Sequence, residues 1–190
     1  MKHALKEWSI AIKALEQGET ILLLRKGGIR EEQGRFEVPF RRVLLYPTYE
    51  HQDPALLKQP NLVDRVESGW HPETIEISSI ADITDVFQVS DAEVVRSLLP
   101  FHIWNDRFVE ERLKWKPRSP LYLLLLRVFR LPQPQKIGYQ EAYGGCRSWI
   151  EIEDVAIDQT TPVLSEAEYQ ERVGEIRSIV ERSAIQQFLT

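Results

Sequence analysis

The sequence has few of the residues that cross-link a chain or bind a metal. Among its 190 residues there is one cysteine, Cys146, so no disulfide can form within the chain, and its four histidines are widely spaced. Zinc sites of ordinary spacing need close pairs of cysteine and histidine, so the sequence predicts neither a metal nor another cofactor. A single thiol is typical of a reducing compartment, and we therefore expect a cytoplasmic protein.

Long hydrophobic runs are also missing. The longest apolar run, Leu121 to Leu126, is far shorter than the roughly 20 residues that cross a membrane, so no membrane partner is expected. Charged residues interrupt every apolar run in positions 1–19, which argues against a signal peptide.

Charge is unevenly distributed along a chain whose net charge is −5. Residues 23–42 have six cations against three carboxylates, and residues 105–130 have seven cations against three. The segment from Ile150 onward has nine carboxylates against three arginines. An acidic protein with two basic segments can still present a positive face to nucleic acid, although each segment can equally be ordinary solvated surface.

Hydrophobic spacing and turn residues predict an alternation of helices and strands. The predicted helices are 3–17, 90–98, 104–115 and 166–188, the last opened by a Ser165–Glu168 capping box. The predicted strands are 20–25, 36–46, one or two strands over 74–89, 121–131 and 149–152, with prolines expected to end those at 46 and 131. This pattern indicates an α+β fold: a mostly antiparallel, small barrel-like sheet flanked by N- and C-terminal helices. We expect one domain over 1–160, with a C-terminal helix at 161–190 packed on it or extending from it.

The turn Arg25-Lys26-Gly27-Gly28 is the best candidate for binding an anion. Two glycines allow backbone N–H groups to converge on a phosphate, and the two cations add Coulomb attraction. The alternative is a strand that turns through glycines because they tolerate positive φ.

A second candidate is the segment Tyr46-Pro47-Thr48-Tyr49-Glu50-His51-Gln52, which follows a predicted buried strand. His51 is a possible general base and Glu50 its partner, or a partner of an arginine, although neighbours in extended backbone point apart. Tyr46 and Tyr49 are alternatively suited to stacking on a base. A purely structural turn would explain the same residues.

Aromatic and basic residues are interleaved in the second half of the chain, a mixture typical of proteins that bind single-stranded nucleic acid. Core packing would account for most of these rings equally well. The residues are Trp104, Trp115, Tyr139, Tyr143 and Trp149, with Arg107, Lys114, Lys116 and Arg118.

Several catalytic patterns are missing from the sequence. No lysine that can be tested has an acid two residues before it, so a metal-dependent nuclease of the restriction-enzyme type is not indicated. Cys146 has only Arg147 beside it, which does not identify a nucleophile.

Two resemblances to known families follow from these motifs. Gly18 and Arg25 match the Gly-x-Lys-x-x-Glu-x-Arg signature of ASCH domains, a PUA-like group with an RNA-related barrel fold. Thr20 and Leu23 replace the signature's Lys and Glu, so the family's catalytic residues do not carry over. The pieces ALKEW, LLLRKGGI, LLYPTYEHQ and GGCRSWIEI resemble the bacterial family of domain of unknown function 1802. That resemblance spans most of the chain and implies no activity.

Three hypotheses of function follow. The first is a module that binds RNA or another single strand. The second is an enzyme that acts on a small phosphorylated or nucleotide-like substrate, with His51 as base, Glu50 as its orienting partner and Arg25 as oxyanion clamp. The third is a protein-interaction module that uses the acidic C-terminal helix. In the first, the predicted contacts are Arg25, Lys26, Gly27 and Gly28 with phosphate, Tyr49 and Trp149 stacked on bases, and Arg41 and Arg118 extending the basic track.

Overall fold

The computed structural model of the protein describes residues 1–26, 31–32, 35–36, 38–62, 65–67, 69–115, 117, 119–145 and 147–187. Its architecture is α+β. The helices are α1 (Ser9–Glu16), α2 (Ala92–Ser97), α3 (Asp106–Lys114) and α4 (Glu166–Gln187). The strands are β1 (His3–Trp8), β2 (Leu22–Arg25), β3 (Glu31–Glu32), β4 (Arg35–Phe36), β5 (Arg42–Thr48), β6 (Thr74–Val89), β7 (Leu121–Gly138), β8 (Trp149–Glu151) and β9 (Thr161–Pro162).

The main sheet has the strand order β2-β7-β6-β5-β1-β8, with β9 paired to β7 and β3 paired to β4 separately. The long strands β6 and β7 pair with register shifts between Ile77 and Ser79 and between Ile83 and Asp85. Such irregularities bend and twist a ladder, and the sheet curls into a half-barrel. Because β1 runs parallel to β5 whereas the other described pairings of this sheet are antiparallel, the sheet is mixed, with one parallel pair that the sequence did not predict.

The N-terminal segment differs most from the sequence prediction. A helix over 3–17 is wrong in its first half, since His3–Trp8 is a strand and the helix is Ser9–Glu16. β1 lies between β5 and β8, so both of its edges are hydrogen-bonded. Pairing with two partners distant in sequence outweighs a local helical spacing. A strand, not a helix, therefore occupies the N-terminal end.

Both strands that we expected to end at prolines continue beyond them. β5 runs through Pro47 to Thr48, and β7 passes Pro132 and Pro134 to reach Gly138. Pro132 and Pro134 lie where the pairing jumps from Ser79–Arg130 to Ile77–Gln135. A proline is tolerated there because the ladder is already interrupted and needs no N–H donor.

Hydrophobic clusters cover the two faces of the sheet. Successive residues of a strand point to opposite faces. Val43 and Leu45 of β5 accordingly join a cluster with Leu15 of α1, whereas Leu44 and Tyr46 join a second cluster. The continuous apolar run of β5 thus contributes to a packed layer on either side of the sheet.

Helix α4 packs on the first cluster through one face. Tyr169, Val173 and Ile176 are buried there. The predicted capping box is confirmed: Ser165 Oγ accepts from the N–H of Glu168 at 3.3 Å, and the Glu168 carboxylate accepts from the N–H of Ser165 at 2.9 Å. None of the helices in the described part of the chain is both long and apolar enough to cross a membrane.

Candidate functional site

A cleft of about 480 Å³ opens where the curled sheet brings its distant strands together. The carboxyl ends of the parallel strands β1 and β5 meet there, beside the end of β2 and under α3. We call this cavity the basic cleft. It is lined by Lys6, Glu7, Trp8, Leu24, Arg25, Lys26, Thr48, Glu50, His51, Trp104, Phe108, Arg112, Trp115, Gly145, Arg147 and Ser148.

The charge of this lining is opposite to that of the whole chain. It contains five lysine or arginine side chains but only the carboxylates of Glu7 and Glu50, in a chain of net charge −5. A recess between low-dielectric walls concentrates such a local field, so anions are attracted here despite the acidic total. The cations are Lys6, Arg25, Lys26, Arg112 and Arg147.

Arg25 forms a bridge across the floor of the cleft. Its Nη2 lies 3.0 Å from Glu7 Oε2 and donates to the carbonyl oxygen of Lys6 at 2.6 Å, while its Nη1 donates to Ser148 Oγ at 3.3 Å. Arg25 therefore joins the end of β2 to β1 and to the residue before β8, across the open side of the half-barrel. Its guanidinium is largely engaged by the protein itself.

The two lysines of the cleft also connect its walls. Lys6 Nζ donates to the carbonyl oxygens of Tyr143 at 2.9 Å and Gly145 at 2.5 Å. Lys26 Nζ donates to the carbonyl oxygen of Leu113, in α3, at 3.1 Å. Burial lowers the pKa of the Lys26 ammonium. Both ammonium groups are thus held at fixed positions by main-chain oxygens.

Arg112 is the cation best placed to accept an incoming anion. Its guanidinium lies over the ring of Phe108, 4.8 Å from the centroid, and 5.9 Å from the centroid of Trp115. Within the described chain, no residue forms a hydrogen bond or ion pair with it. Burial lowers the pKa of Arg112, as desolvation outweighs its attraction to Glu7. This arrangement presents a planar set of donors, supported by aromatic rings, to the cleft.

The aromatic residues of the cleft fall into a buried group and an exposed one. Trp8, Trp104 and Phe108 pack on one another, with Trp104 and Phe108 stacked at 4.8 Å between centroids. Trp115 is 46% exposed at the end of α3. The first three rings build the wall, and Trp115 is accessible to a ligand.

A second cavity, of about 300 Å³, lies on the other side of Thr48, Glu50 and His51. We call it the aromatic pocket. Tyr49 and Trp70 meet edge to face there with centroids 5.7 Å apart, and His71 stacks on Tyr139. Its lining is Lys6, Tyr46, Pro47, Thr48, Tyr49, Glu50, His51, Gly69, Trp70, His71, Pro72, Ile75, Tyr139, Tyr143, Gly144 and Gly145.

Two details define the interior of the aromatic pocket. Tyr46 is 2% exposed, its hydroxyl is buried without a hydrogen-bond partner in the described chain, and burial raises its pKa. Gly144 makes room for Tyr139, because a Cβ at position 144 would lie 2.7 Å from the Tyr139 hydroxyl oxygen. The pocket therefore combines tight ring packing with one unsatisfied phenol.

His51 and Glu50 form a pair in the wall between the two cavities. His51 has φ of 64°, and its Nε2 lies 3.5 Å from Glu50 Oε1. We expected the side chains of these neighbours to point apart, as they do in extended backbone. His51 instead has a left-handed backbone conformation, and the two side chains lie close together. Glu50 also accepts from the N–H of Gly69 at 2.8 Å, and the His51 side chain is 62% exposed.

The structure brings only some of the predicted site residues together. Arg25, Lys26, Glu50 and His51 line the basic cleft, and Tyr49 lines the aromatic pocket. Arg41 lies elsewhere and donates to the carbonyl oxygen of Ile83. Trp149 is half-buried against the first hydrophobic cluster. Gly27, Gly28 and Arg118, together with Cys146, lie outside the described residues.

Four charged residues of the cleft were not expected from the sequence. Glu7 and Lys6 were assigned to a helix, so their position at the end of a strand was missed. Arg112 was one cation among seven in its segment, although its spacing of four from Phe108 and three from Trp115 places all three on one helical face. The fourth is Arg147. Among the described residues, no group of three His, Cys, Asp or Glu side chains is arranged to hold a metal ion.

Comparison with solved structures finds ASCH proteins of Zymomonas mobilis. The ASCH crystal structure matches with a TM-score of 0.47 at 14% identity, over 90% of this chain and 93% of that one. Variants with a serine-to-alanine and a tyrosine-to-phenylalanine substitution match with TM-scores of 0.47 and 0.46, at 13% and 14% identity. These matches cover 90% of this chain and 94% and 96% of the respective variants.

No curated protein sequence matches the chain. A family model, domain of unknown function (DUF1802), matches residues 4–175. This match includes all four of the sequence pieces on which the resemblance was based, as well as every residue that lines the two cavities. The chain therefore belongs to the DUF1802 family.

Proposed function

We propose that the protein binds single-stranded nucleic acid and that the basic cleft holds the phosphates. The observation that carries this proposal is Arg112, whose guanidinium lies on aromatic rings in a cationic recess and has no hydrogen-bond partner among the described residues. A guanidinium presents parallel N–H donors that match two phosphate oxygens. A phosphate group therefore fits this geometry.

The remaining cations have different roles in this proposal. Arg147 is exposed at the rim and adds a second cation that a phosphate can contact. Lys26 contributes a fixed positive charge, whereas Arg25 holds the cleft together through Glu7 and Ser148. The proposal thus moves the principal phosphate contact from Arg25 and Lys26, where the sequence placed it, to Arg112.

Accessible rings beside the cations favour a single strand over a duplex. Trp115 lies next to Arg112 and is exposed. Base faces are available for stacking only when they are not already stacked in a helix. Rings and cations side by side are therefore typical of proteins that follow an unpaired strand.

Replacing Arg112 tests this proposal. We expect Arg112→Ala to weaken binding of a fluorescein-labelled uridine decamer of RNA about tenfold, since a charged hydrogen bond is lost. The slope of log affinity against log salt should become shallower by about 0.7, the value for one phosphate contact to a single strand. Fluorescence anisotropy between about 50 and 200 mM salt measures both quantities.

Arg107→Ala is the matched control for this experiment. Arg107 is on the same helix, but it is exposed and pairs with Glu111 at 2.8 Å outside the cleft. It should leave affinity and slope close to those of the wild type. An equal effect of the two substitutions, or no salt-dependent binding by the wild type, would contradict the proposal.

The His51–Glu50 pair favours a second candidate function, an enzyme acting on a small phosphorylated or nucleotide-like substrate. An imidazole beside a carboxylate at the mouth of a cationic cleft has the composition of a general base with its orienting partner. Incubation of the wild type and His51→Ala with uridine 5′-diphosphate, followed by chromatography of the products, tests it. Hydrolysis of the diphosphate by the wild type that is lost in His51→Ala supports this candidate; an unchanged diphosphate in both incubations contradicts hydrolysis of this class of substrate.

A further inference from the structure

The aromatic pocket has no role in holding phosphate, yet it adjoins the basic cleft. We infer that it receives one nucleobase of the bound strand, while the phosphates of that strand lie in the cleft. This inference rests on the proposed function and adds to it a site that distinguishes bases. Three observations support it: the rings of the pocket, its electrostatic surroundings and the Tyr46 hydroxyl.

The rings of the pocket provide surfaces for a flat guest. The pocket is bounded by five rings of tyrosine or tryptophan and by the imidazole of His71. Trp70 is 46% exposed although it is a large apolar residue, and it meets Tyr49 edge to face. A base that stacks on such a ring gains affinity whatever its identity.

Electrostatics decides between the two kinds of guest that aromatic pockets accept, a cation and a flat neutral ring. The ammonium of Lys6 lines this pocket as well as the cleft, and Arg25 and Arg112 line the cleft next to it. Glu50, in the shared wall, is the one carboxylate in the lining of the pocket and already accepts from the N–H of Gly69. Lys6 and Glu50 balance each other in the lining of the pocket, and Glu76 lies near Tyr49, so the excess of positive charge is in the neighbouring cleft. A neutral base attached to anionic phosphate is compatible with both cavities, whereas a cationic ligand gains nothing from the cleft.

The Tyr46 hydroxyl supplies a polar contact within the pocket. It is buried and has no hydrogen-bond partner in the described part of the chain, which is unfavourable unless a ligand provides one. Burial raises its pKa, so the phenol stays protonated and can donate as well as accept. The edge of a base offers ring nitrogens, carbonyl oxygens and amino groups as partners. Stacking alone is tolerant of sequence, and this hydroxyl therefore gives the pocket a preference among bases.

Two substitutions separate stacking from hydrogen bonding in this pocket. The probes are fluorescein-labelled decamers of uridine, adenosine and cytidine and an abasic ribose-phosphate decamer. We expect the wild type to bind its preferred base-bearing decamer about tenfold more tightly than the abasic one, and Trp70→Ala to abolish that preference. Tyr46→Phe should reduce the ratios of affinity among the uridine, adenosine and cytidine decamers by about threefold or more. It should leave the slope of log affinity against log salt unchanged.

Tyr169→Phe is the matched control, because it removes the same oxygen from a tyrosine on α4 that bonds Thr84 rather than the pocket. It should bind like the wild type. Trp70 is half exposed and Tyr46→Phe keeps its ring, so both variants should fold, which circular dichroism verifies.

The outcomes distinguish this inference from the proposed function. Salt-dependent binding with no preference for bases over the abasic decamer, or a preference that both pocket variants retain, overturns the base site and leaves the cleft as a phosphate site. Absence of binding to every decamer overturns both. Binding of uridine or adenosine monophosphate as tightly as the decamers, weakened by Trp70→Ala, supports the base site but overturns a strand as the ligand.

Discussion

Glu7 is a buried carboxylate in a cleft whose lining has five cations and only one other carboxylate, Glu50. Its Oε2 pairs with Arg25, and its Oε1 accepts from the N–H of Trp8 at 2.7 Å. Removing two charges from water is costly, and such a pair persists only when further hydrogen bonds complete it. Here the carbonyl oxygen of Lys6 and the hydroxyl of Ser148 supply them for Arg25.

Breaking this pair should destabilise the protein substantially. We expect Glu7→Ala to lower the free energy of unfolding by about 3 kcal/mol, because it leaves the guanidinium of Arg25 buried without its counterion. Urea denaturation followed by circular dichroism measures the change. Glu93→Ala, which removes an exposed carboxylate on α2, should change it much less. A similar small loss for Glu7→Ala would show that the pair contributes little.

At this scale, the sequence identified residue types better than positions. Arg25 and Lys26 were correctly placed at a strand end, but their engagement with Glu7 and with Leu113 depends on elements far along the chain. Arg41 illustrates the converse: it belongs to a basic segment but lies away from the cleft. A count of charges along the sequence gives no information on which cation faces which neighbour.

Among the elements, β1 shows most clearly why local spacing was insufficient. Its apolar residues fit a helical stripe, yet they form a strand that is buried on both faces and paired on both edges. The partners Leu44 and Ile150 are remote in sequence, so no local pattern reveals the pairing. By contrast, α4 was predicted closely, since its stripe, its capping box and its length are all local features.

Helix α4 is held to the rest of the molecule by its buried face. Ile176 is 0% exposed, and the exposed face pairs Arg177 with Asp85 at 2.6 Å. We expect Ile176→Ala to lower the free energy of unfolding by about 3 kcal/mol, as a large aliphatic side chain is deleted from a packed core. Thermal and urea unfolding measure it.

Glu175→Ala on the neighbouring exposed position is the control and should have little effect. If Ile176→Ala lowered the free energy of unfolding as little as Glu175→Ala, the helix would be an appendage rather than part of the packed core. That result would favour its use as an interaction segment, the third hypothesis from the sequence.

The whole molecule separates its charges in space more than its sequence does. The C-terminal segment contributes a surplus of carboxylates, whereas the cleft gathers cations from β1, β2, α3 and the segment before β8. The total charge would keep a polyanion at a distance, but screening limits that repulsion to about 8 Å at physiological salt. Within that range the local field of the cleft dominates.

The stability of the molecule should decrease in acid because of His102. Burial, reinforced by Lys58, lowers the pKa of His102 to about 3, whereas an unfolded histidine titrates near 6.5. Between these values the unfolded chain binds a proton that the folded chain does not. The contribution of His102 to the free energy of unfolding is therefore complete above about pH 6.5 and is lost as the pH falls towards 3. The loss reaches up to about 1.4 kcal/mol per pH unit.

Urea unfolding of the wild type and His102→Phe across this range tests the prediction, since phenylalanine keeps the ring without its titration. The free energy difference between the two proteins should change with pH in favour of the variant as acid is added. His71→Phe, at an exposed histidine, should leave the wild-type dependence unchanged. Parallel curves for wild type and His102→Phe would exclude this origin of acid sensitivity.

The two cavities lie side by side, since Lys6, Thr48, Glu50, His51 and Gly145 line both of them. A ligand with a charged group on one side and a ring on the other is therefore bivalent. Once the first group is bound, the second is confined near its site at a high effective concentration, and no further freedom of translation is lost. Affinity for the joined ligand then exceeds that for its two halves offered separately. Cutting the covalent link between them would release both.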